Sequence, residues 1–334
     1  MPSLRRGAAA ALTVVVAMLL AAGCGSGSQP AVSQSAVVSS ARTFLNGYVE
    51  PSGAVVRHDQ GGDVVSEGQG YAMLLAYALD DPRRFAKIWA WTRANLQRPD
   101  HLFAYHWQDG AVVDSTPAAD ADVQIAWALT LAGDGWSLPA DTTAARQIAE
   151  SVAQSEIGYD REGHPTLAAG PWAISPGRSV EVEPGYWTFP AYAALARVTG
   201  DHRWQALASS DAAHLRAVTH NGTQLPPDWA TLGQGSGATP TSAPQTDATP
   251  VAGQDGLRAI VWAACLPDTH HLVTRWWELV RPTSQRGPVT RSLDGSPATP
   301  GPSPLSLVAA AAAAQVAGDD TASAALLKQA AKTA

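Results

Sequence analysis

Cysteine is nearly absent from this chain of 334 residues: Cys24 and Cys265 are its only two. That excludes a disulfide framework and a Cys-rich metal site. Histidine offers no substitute. The nine histidines are scattered, none at the HExxH spacing, and the adjacent His270 and His271 would diverge on a helix rather than chelate. No metal and no cofactor is therefore expected. Charged residues make up only 15%, with a formal net charge of −7. No Lys/Arg cluster occurs beyond the extreme N-terminus, which argues against nucleic acid as a partner. Phenylalanine is rare, at four residues against twelve tryptophans. About two-thirds of those large indoles are expected in the core. The remainder offer broad flat faces for sugar rings.

Long apolar runs are also few. One spans residues 8–22, after Arg5 and Arg6, and ends in "LLAAGC". It is short for a membrane span and reads as an export signal over residues 1–23. The ending resembles a bacterial lipobox, which makes Cys24 the lipidated first residue of the mature chain. "GSGSQPAVSQS" then supplies a flexible tether over 24–35, and the folded domain is expected over 36–334. The expected location is outside the cytoplasm, either lipid-anchored through Cys24 at the outer face of the cell membrane or secreted. Cys265, in "RAIVWAACLP", reads as a buried small residue.

The rest is helix after helix. Apolar residues at i, i+3, i+4 spacing predict helices near 35–49, 67–80, 82–97, 119–133, 141–158, 185–199, 201–219, 254–266, 269–281, 303–317 and 319–332. Alternation suggests only short hairpins at 55–57 and 110–113. Such a pattern predicts one all-α domain built from helical hairpins. The long connections 98–118, 159–184, 220–253 and 282–302 are rich in Pro, Gly, Ser and Thr, and loops of that length are usually functional or mobile.

Acids stand at the heads of these helices. Glu67 opens "SEGQGYAMLLAYAL" between Ser66 and two glycines, Gly68 and Gly70. Asp120 and Asp122 open "ADADVQIAWALTLAG". Asp255 opens "GQDGLRAIVWAAC", with Arg258 three residues on. Each has a plain structural explanation: Ser66 or an Asp as an N-cap, an acid favoured by the helix dipole, an i, i+3 ion pair. Capping explains a pair of adjacent carboxylates less well, because the two repel each other. If these helix ends share one face, the acids converge there. Tyr186 and Trp187 at another helix head, and Asp228 and Trp229 in a loop, would lie beside them. Two carboxyls and a set of aromatic faces are what hydrolysis of a glycosidic bond requires.

At these segments the chain resembles glycoside hydrolase family 8, the bacterial endoglucanases that include enzymes of cellulose-synthesis operons. "SEGQGYAML" is similar to the segment carrying the family's general acid, which maps to Glu67. "ADADVQIAWAL" is similar to its signature segment, whose first Asp contacts the sugar at the cleavage point and maps to Asp120. "EPGYWTFPAY" maps Tyr186 to the active-site tyrosine, and "LPPDWA" also matches. "GQDGLRAIVWA" maps Asp255 to the base that activates water and Arg258 to its neighbour. The resemblance implies an (α/α)6 barrel of six helical hairpins with an open cleft, and an inverting mechanism on β-1,4-linked glucan. It also implies a twelfth helix, expected within 159–184 or 233–253. Departures are Ala119, Gly185, Gln254 and Gly256, where the family has Ser or Thr, Ser, Tyr or Phe, and Ala.

Trp107, Trp172, Trp187 and Trp229 are the stacking candidates, and Asp122 is a further candidate for substrate binding. The expected partner is a β-linked polysaccharide or oligosaccharide bound by a monomer. Chitosan, xylan or mixed-linkage glucan remain alternative substrates. A glycan-binding lipoprotein with little or no turnover is an alternative function, and a helical scaffold for envelope assembly is a third reading.

Overall fold

The structure, a computed structural model, describes residues 34–333 apart from 176, 178, 234–237, 245, 282–287 and 302. Cys24 and the export and tether segments lie outside the described residues, apart from the last two residues of the tether. Eleven α-helices are present among them: α1 Gln34–Tyr48, α2 Ser66–Ala78, α3 Pro82–Asn95, α4 Ala119–Gly135, α5 Pro139–Ser155, α6 Phe189–Thr199, α7 His202–Val218, α8 Gln254–Ala264, α9 His270–Val280, α10 Pro304–Val316 and α11 Asp320–Thr333. None is long and apolar enough to cross a membrane.

Burial divides the helices into two layers. In α2, α4, α8 and α10 nearly every residue is buried, including Leu305–Ala314 without a break. Helices α3, α5 and α9 bury single stripes, such as Phe85, Ile88, Trp89 and Thr92, and turn the rest to solvent. A helix buried all round is an inner helix, and a striped one is an outer helix. The chain alternates between the layers. Helix α6 packs between α4 and α8 inside, and α1 joins the ring beside α2 and α11. This is an (α/α)6-type barrel. Small residues permit the close inner packing: a Cβ at Gly70 would stand 3.2 Å from the Gln124 Cβ on α4.

Besides four 3-10 turns, the described residues form twelve short strands in four antiparallel sheets. They are β1 Val64–Val65, β2 His106–Gln108, β3 Ala111–Asp114, β4 Ile157–Tyr159, β5 Pro165–Leu167, β6 Ile174–Ser175, β7 Ser179–Val182, β8 Trp229–Leu232, β9 Ala238–Thr241, β10 Val251–Ala252, β11 Thr290–Ser292 and β12 Pro297–Thr299. Strand β1 runs straight into α2 and β10 straight into α8, so these sheets border the N-terminal ends of the inner helices. The expected twelfth helix is absent among the described residues of 159–184 and 233–253. Those segments form β5 to β7 and β9 to β10, with a 3-10 turn at Pro171–Ala173. Proline and glycine break any helical run there.

Side-chain caps occur in both layers: Ser303 accepts from Ser306 N at the head of the inner α10, whereas the outer α5 and α9 have none. Asp81 accepts from Arg84 N at 3.0 Å at the head of α3, and Asp201 accepts from Arg203 N at 2.9 Å at the head of α7. By contrast, α2, α4 and α8 begin at Val65, Ala118 and Gly253, and none of these three residues caps its helix with a side chain. Ser66 is not the N-cap of α2, and its hydroxyl has no partner. The acids in these first turns therefore do not serve as N-caps of their own helices.

Candidate active site

Arg258 organises the site. It lies on the second turn of α8 and is only 2% exposed. Its Nη1 donates to Glu67 on α2, to Tyr71 Oη at 2.8 Å and to Asp120 Oδ2 on α4 at 3.1 Å. Its Nη2 donates to Asp255 Oδ1 at 2.5 Å. The i, i+3 pair expected from sequence is present, but as one arm of a hub that reaches two other helices. The guanidinium also lies over the Tyr186 ring, 5.2 Å from its centroid. Burial opposes the charge of Arg258, but the four oxygen-bearing side chains around it hold its proton firmly.

Three carboxylates around one cation leave the cluster short of positive charge. A proton on one of them halves that deficit. Asp120, almost wholly buried, has its carboxyl pushed up to about 7. Burial is the main cause; Arg258 pulls the other way, and Glu67 and Asp255 add repulsion. Burial also raises the Tyr71 and Tyr186 hydroxyls, which remain neutral donors.

Glu67, Asp120, Asp255, Arg258 and Tyr186 line a cavity of about 520 Å³, with Trp172 and Trp229 along its wall and Tyr71 buried behind it. The two indoles are tilted, 6.1 Å between centroids. Trp172 is 46% exposed and anchors its Nε1 on the Pro117 carbonyl at 3.2 Å. Arg57 also faces the cavity, with Nε held by Asp63 Oδ1 at 2.8 Å. The structure thus brings together Glu67, Asp120, Asp255, Arg258, Tyr186, Trp172 and Trp229.

It does not bring in Trp187, Trp107 or Asp122. Trp187 is fully buried and donates from Nε1 to the Leu167 carbonyl at 3.1 Å. Adjacent residues leaving the 3-10 turn Pro184–Tyr186 point opposite ways, so Tyr186 faces the cavity and Trp187 the core. Trp107 sits on β2 and packs edge-on against Trp91 at 5.3 Å, away from the cavity lining. Gly68 faces Val55 and Val65 rather than the cavity.

Asp122 turns inward. Its Oδ1 accepts from Phe103 N at 2.8 Å, and its other oxygen faces Glu156, also fully buried. Neither Asp122 Oδ2 nor the Glu156 oxygens meet any other donor. Two carboxylates are acceptors only, so this pair bonds only if one carboxyl keeps its proton. Burial raises both carboxyls well above their ordinary values of 3.8 and 4.5; Asp122 pushes Glu156 up further, while the hydrogen bonds from Phe103 and Glu156 partly hold Asp122 back. A raised acid means the folded state holds a proton that the unfolded chain releases as pH climbs past those ordinary values. Stability therefore falls as pH rises from about 4. Glu156→Gln, which needs no such proton, should narrow the gap between the melting temperatures at pH 5 and pH 8 by at least a few degrees. An unchanged gap would contradict the shared proton.

Sequence reasoning missed Glu183, Tyr71 and Arg57. Glu183 is 4% exposed at the cavity wall, and burial, then Asp255, raise its carboxyl. Tyr71 lies one helical turn after Glu67, a spacing that could have identified it. Among the described residues, donor atoms of Asp160, Glu162 and His164 lie within 4.8 Å of one another. They sit on the β4–β5 turn, outside the cavity, where Asp160 accepts from the Glu162 and His164 N–H groups.

A family model described as "Glycosyl hydrolases family 8" matches residues 15–283. A probable endoglucanase of Novacetimonas hansenii is 33% identical over 207 residues, covering 58% of this chain and 58% of that protein. An endoglucanase of Xanthomonas axonopodis pv. citri is 32% identical over 242 residues, covering 67% of this chain and 59% of its own. The chain thus spans under two thirds of the length of these relatives. Among solved structures, endo-beta-1,4-glucanase CMCax from Acetobacter xylinum matches with a TM-score of 0.73 at 26% identity, covering 89% of this chain and 98% of that one. A beta-1,3-1,4-glucanase from Paenibacillus sp. X4 has the same fold, with a TM-score of 0.77 at 17% identity over 92% of this chain and 93% of its own.

Proposed function

The chain belongs to glycosyl hydrolase family 8, and from that premise we propose that it is an exported, inverting endo-β-1,4-glucanase. One observation carries the reading: a single buried guanidinium gathers Glu67, Asp120 and Asp255 from three helices at the wall of an aromatic-lined cavity. Glu67, with 23% of its side chain exposed, is the general acid that protonates the leaving oxygen. Asp255 is the base that takes a proton from the attacking water. Asp120 holds the sugar at the cleavage point. Trp172 and Trp229 stack against neighbouring rings, and Tyr186 borders the same space.

Asp120 and Glu67 share Arg258 Nη1. Burial keeps a proton on Asp120 up to about pH 7, within the cluster that must supply one to the leaving oxygen. Turnover should then fall about tenfold per pH unit above roughly pH 7, where that proton is lost. Inversion is what the family resemblance implies, and it requires the Glu67 and Asp255 carboxyls to stand about 6.5–9.5 Å apart, leaving room for the attacking water. Export, lipidation at Cys24 and action as a monomer complete the proposal.

The test is reducing-end release from carboxymethylcellulose, mixed-linkage β-glucan, chitosan and xylan, with the anomer of the first product read by NMR. Release on carboxymethylcellulose with inverted product supports the proposal. Preference for another polymer changes the substrate class, and a retained anomer rejects the roles given to Glu67 and Asp255. Binding without release from any polymer makes the protein a glycan-binding lipoprotein.

A further inference from the structure

Helix α8 carries both Asp255 and Arg258, yet it has no cap of its own. An N-terminus is commonly closed by a reciprocal pair, in which the N-cap side chain binds the N3 N–H and the N3 side chain binds the N-cap N–H. In α8 those positions are Gly253 and Gly256, and neither has a side chain to offer. Both N–H groups are nevertheless satisfied. Asp228, outside the cavity lining and 25 residues before Gly253 in the chain, places one oxygen, Oδ1, 2.8 Å from Gly253 N and 2.8 Å from Gly256 N. Its own N–H donates to the Val251 carbonyl at 2.8 Å, which fixes the loop to the strand that leads into α8.

The two glycines are what let the loop approach so closely. A Cβ at Gly253 would collide with the Asp228 carboxylate, and one at Gly256 with the Pro226 carbonyl oxygen. From the other side, a Cβ at Gly185 would collide with the backbone carbonyl of Asp255. Two of the departures from the family pattern, Gly185 and Gly256, thus have one physical explanation. The first turn of α8 is gripped between the 226–228 loop and the 184–186 turn.

We propose that Asp228 is a positioning residue: its carboxylate caps α8 across the loop and sets where Asp255 and Arg258 stand in the cavity. The proposal rests on the assignment of Asp255 as the base. A shift of about 1 Å in a reacting group costs on the order of 10²-fold in rate, without a matching loss of substrate binding. The cap therefore acts on the chemical step.

The experiment measures kcat and KM of the full chain on carboxymethylcellulose for Asp228→Ala, Asp228→Asn and Gly256→Ala, with thermal melts of each. Asp228→Ala should lower kcat at least tenfold and leave KM within about twofold. Asp228→Asn keeps an oxygen that accepts both N–H groups, so it should recover most of kcat. Gly256→Ala, which forces the loop off the helix, should match Asp228→Ala. An unchanged kcat in Asp228→Ala overturns the proposal. So does an Asp228→Asn as impaired as Asp228→Ala, or a kcat loss matched by an equal rise in KM. Asp255→Asn is run alongside. If it retains turnover, the assignment of Asp255 fails. If it is inactive while Asp228→Ala is unimpaired, only the positioning role fails.

Discussion

Glu67→Gln should fold like the parent protein and turn over its polymer roughly 10²–10⁴-fold more slowly, the span general acid catalysis supplies. Glutamine keeps the shape and a carbonyl oxygen for Arg258, so the hub loses one charge but not its packing. It has no proton to give to a leaving alkoxide. The loss should appear in kcat and depend on the leaving group. Aryl glycosides, whose phenolate departs without help, should be cleaved nearly as fast by the variant as by the parent, while the natural glycosidic bond is spared. Equal losses on both substrates would show that Glu67 does not act as the acid. Asp255→Asn should be as slow on both substrates, because activation of water is needed whatever leaves.

Arg258→Met should be the most destabilising single change in the cavity. It removes the one cation shared by Glu67, Asp120 and Asp255, and breaking a buried pair by deleting one partner costs about 3–5 kcal/mol. Part of that cost is avoidable, because carboxyls that lose their cation can take up protons. The destabilisation, measured by urea unfolding, should therefore be smaller at pH 5 than at pH 8. Arg258→Lys should fall in between: an ammonium keeps the charge but cannot serve Asp255 with one nitrogen and Glu67, Tyr71 and Asp120 with another. A loss for Arg258→Met that is the same at both pH values would mean that the acids do not depend on this cation.

The helical architecture was legible because α-helical periodicity is local. All eleven helices were foreseen, with ends off by a few residues where caps differ, as at α5 and α6. The acids were legible for a subtler reason. Each stands in the first turn of an apolar inner helix, where a charged residue needs an explanation that its own sequence does not supply. The small sheets were mostly illegible. Strand β7 alternates, but β1, β6 and β10 are two residues each, too short for any period. The direction a tryptophan faces was illegible too. Trp187 and Tyr186 are neighbours in the chain and part company at a 3-10 turn. Arg258 could be read as Asp255's partner, but its reach to α2 and α4 depends on how the barrel closes.

The hub also bears on how the protein comes to be active. Arg258 and Glu67 meet across 191 residues of chain, and Asp120 arrives from the helix between. No hairpin, and no run of neighbouring hairpins short of the span from α2 to α8, contains the three acids and their cation. Contacts so distant in sequence form late, because loop closure must come first. During refolding, helical signal and buried tryptophan should return before turnover does, and a chain that ends before α8 should gain helix but no catalysis. The proposed hydrolase would thus stay inert throughout synthesis until its eighth helix docks, a built-in delay for the activity and export proposed above.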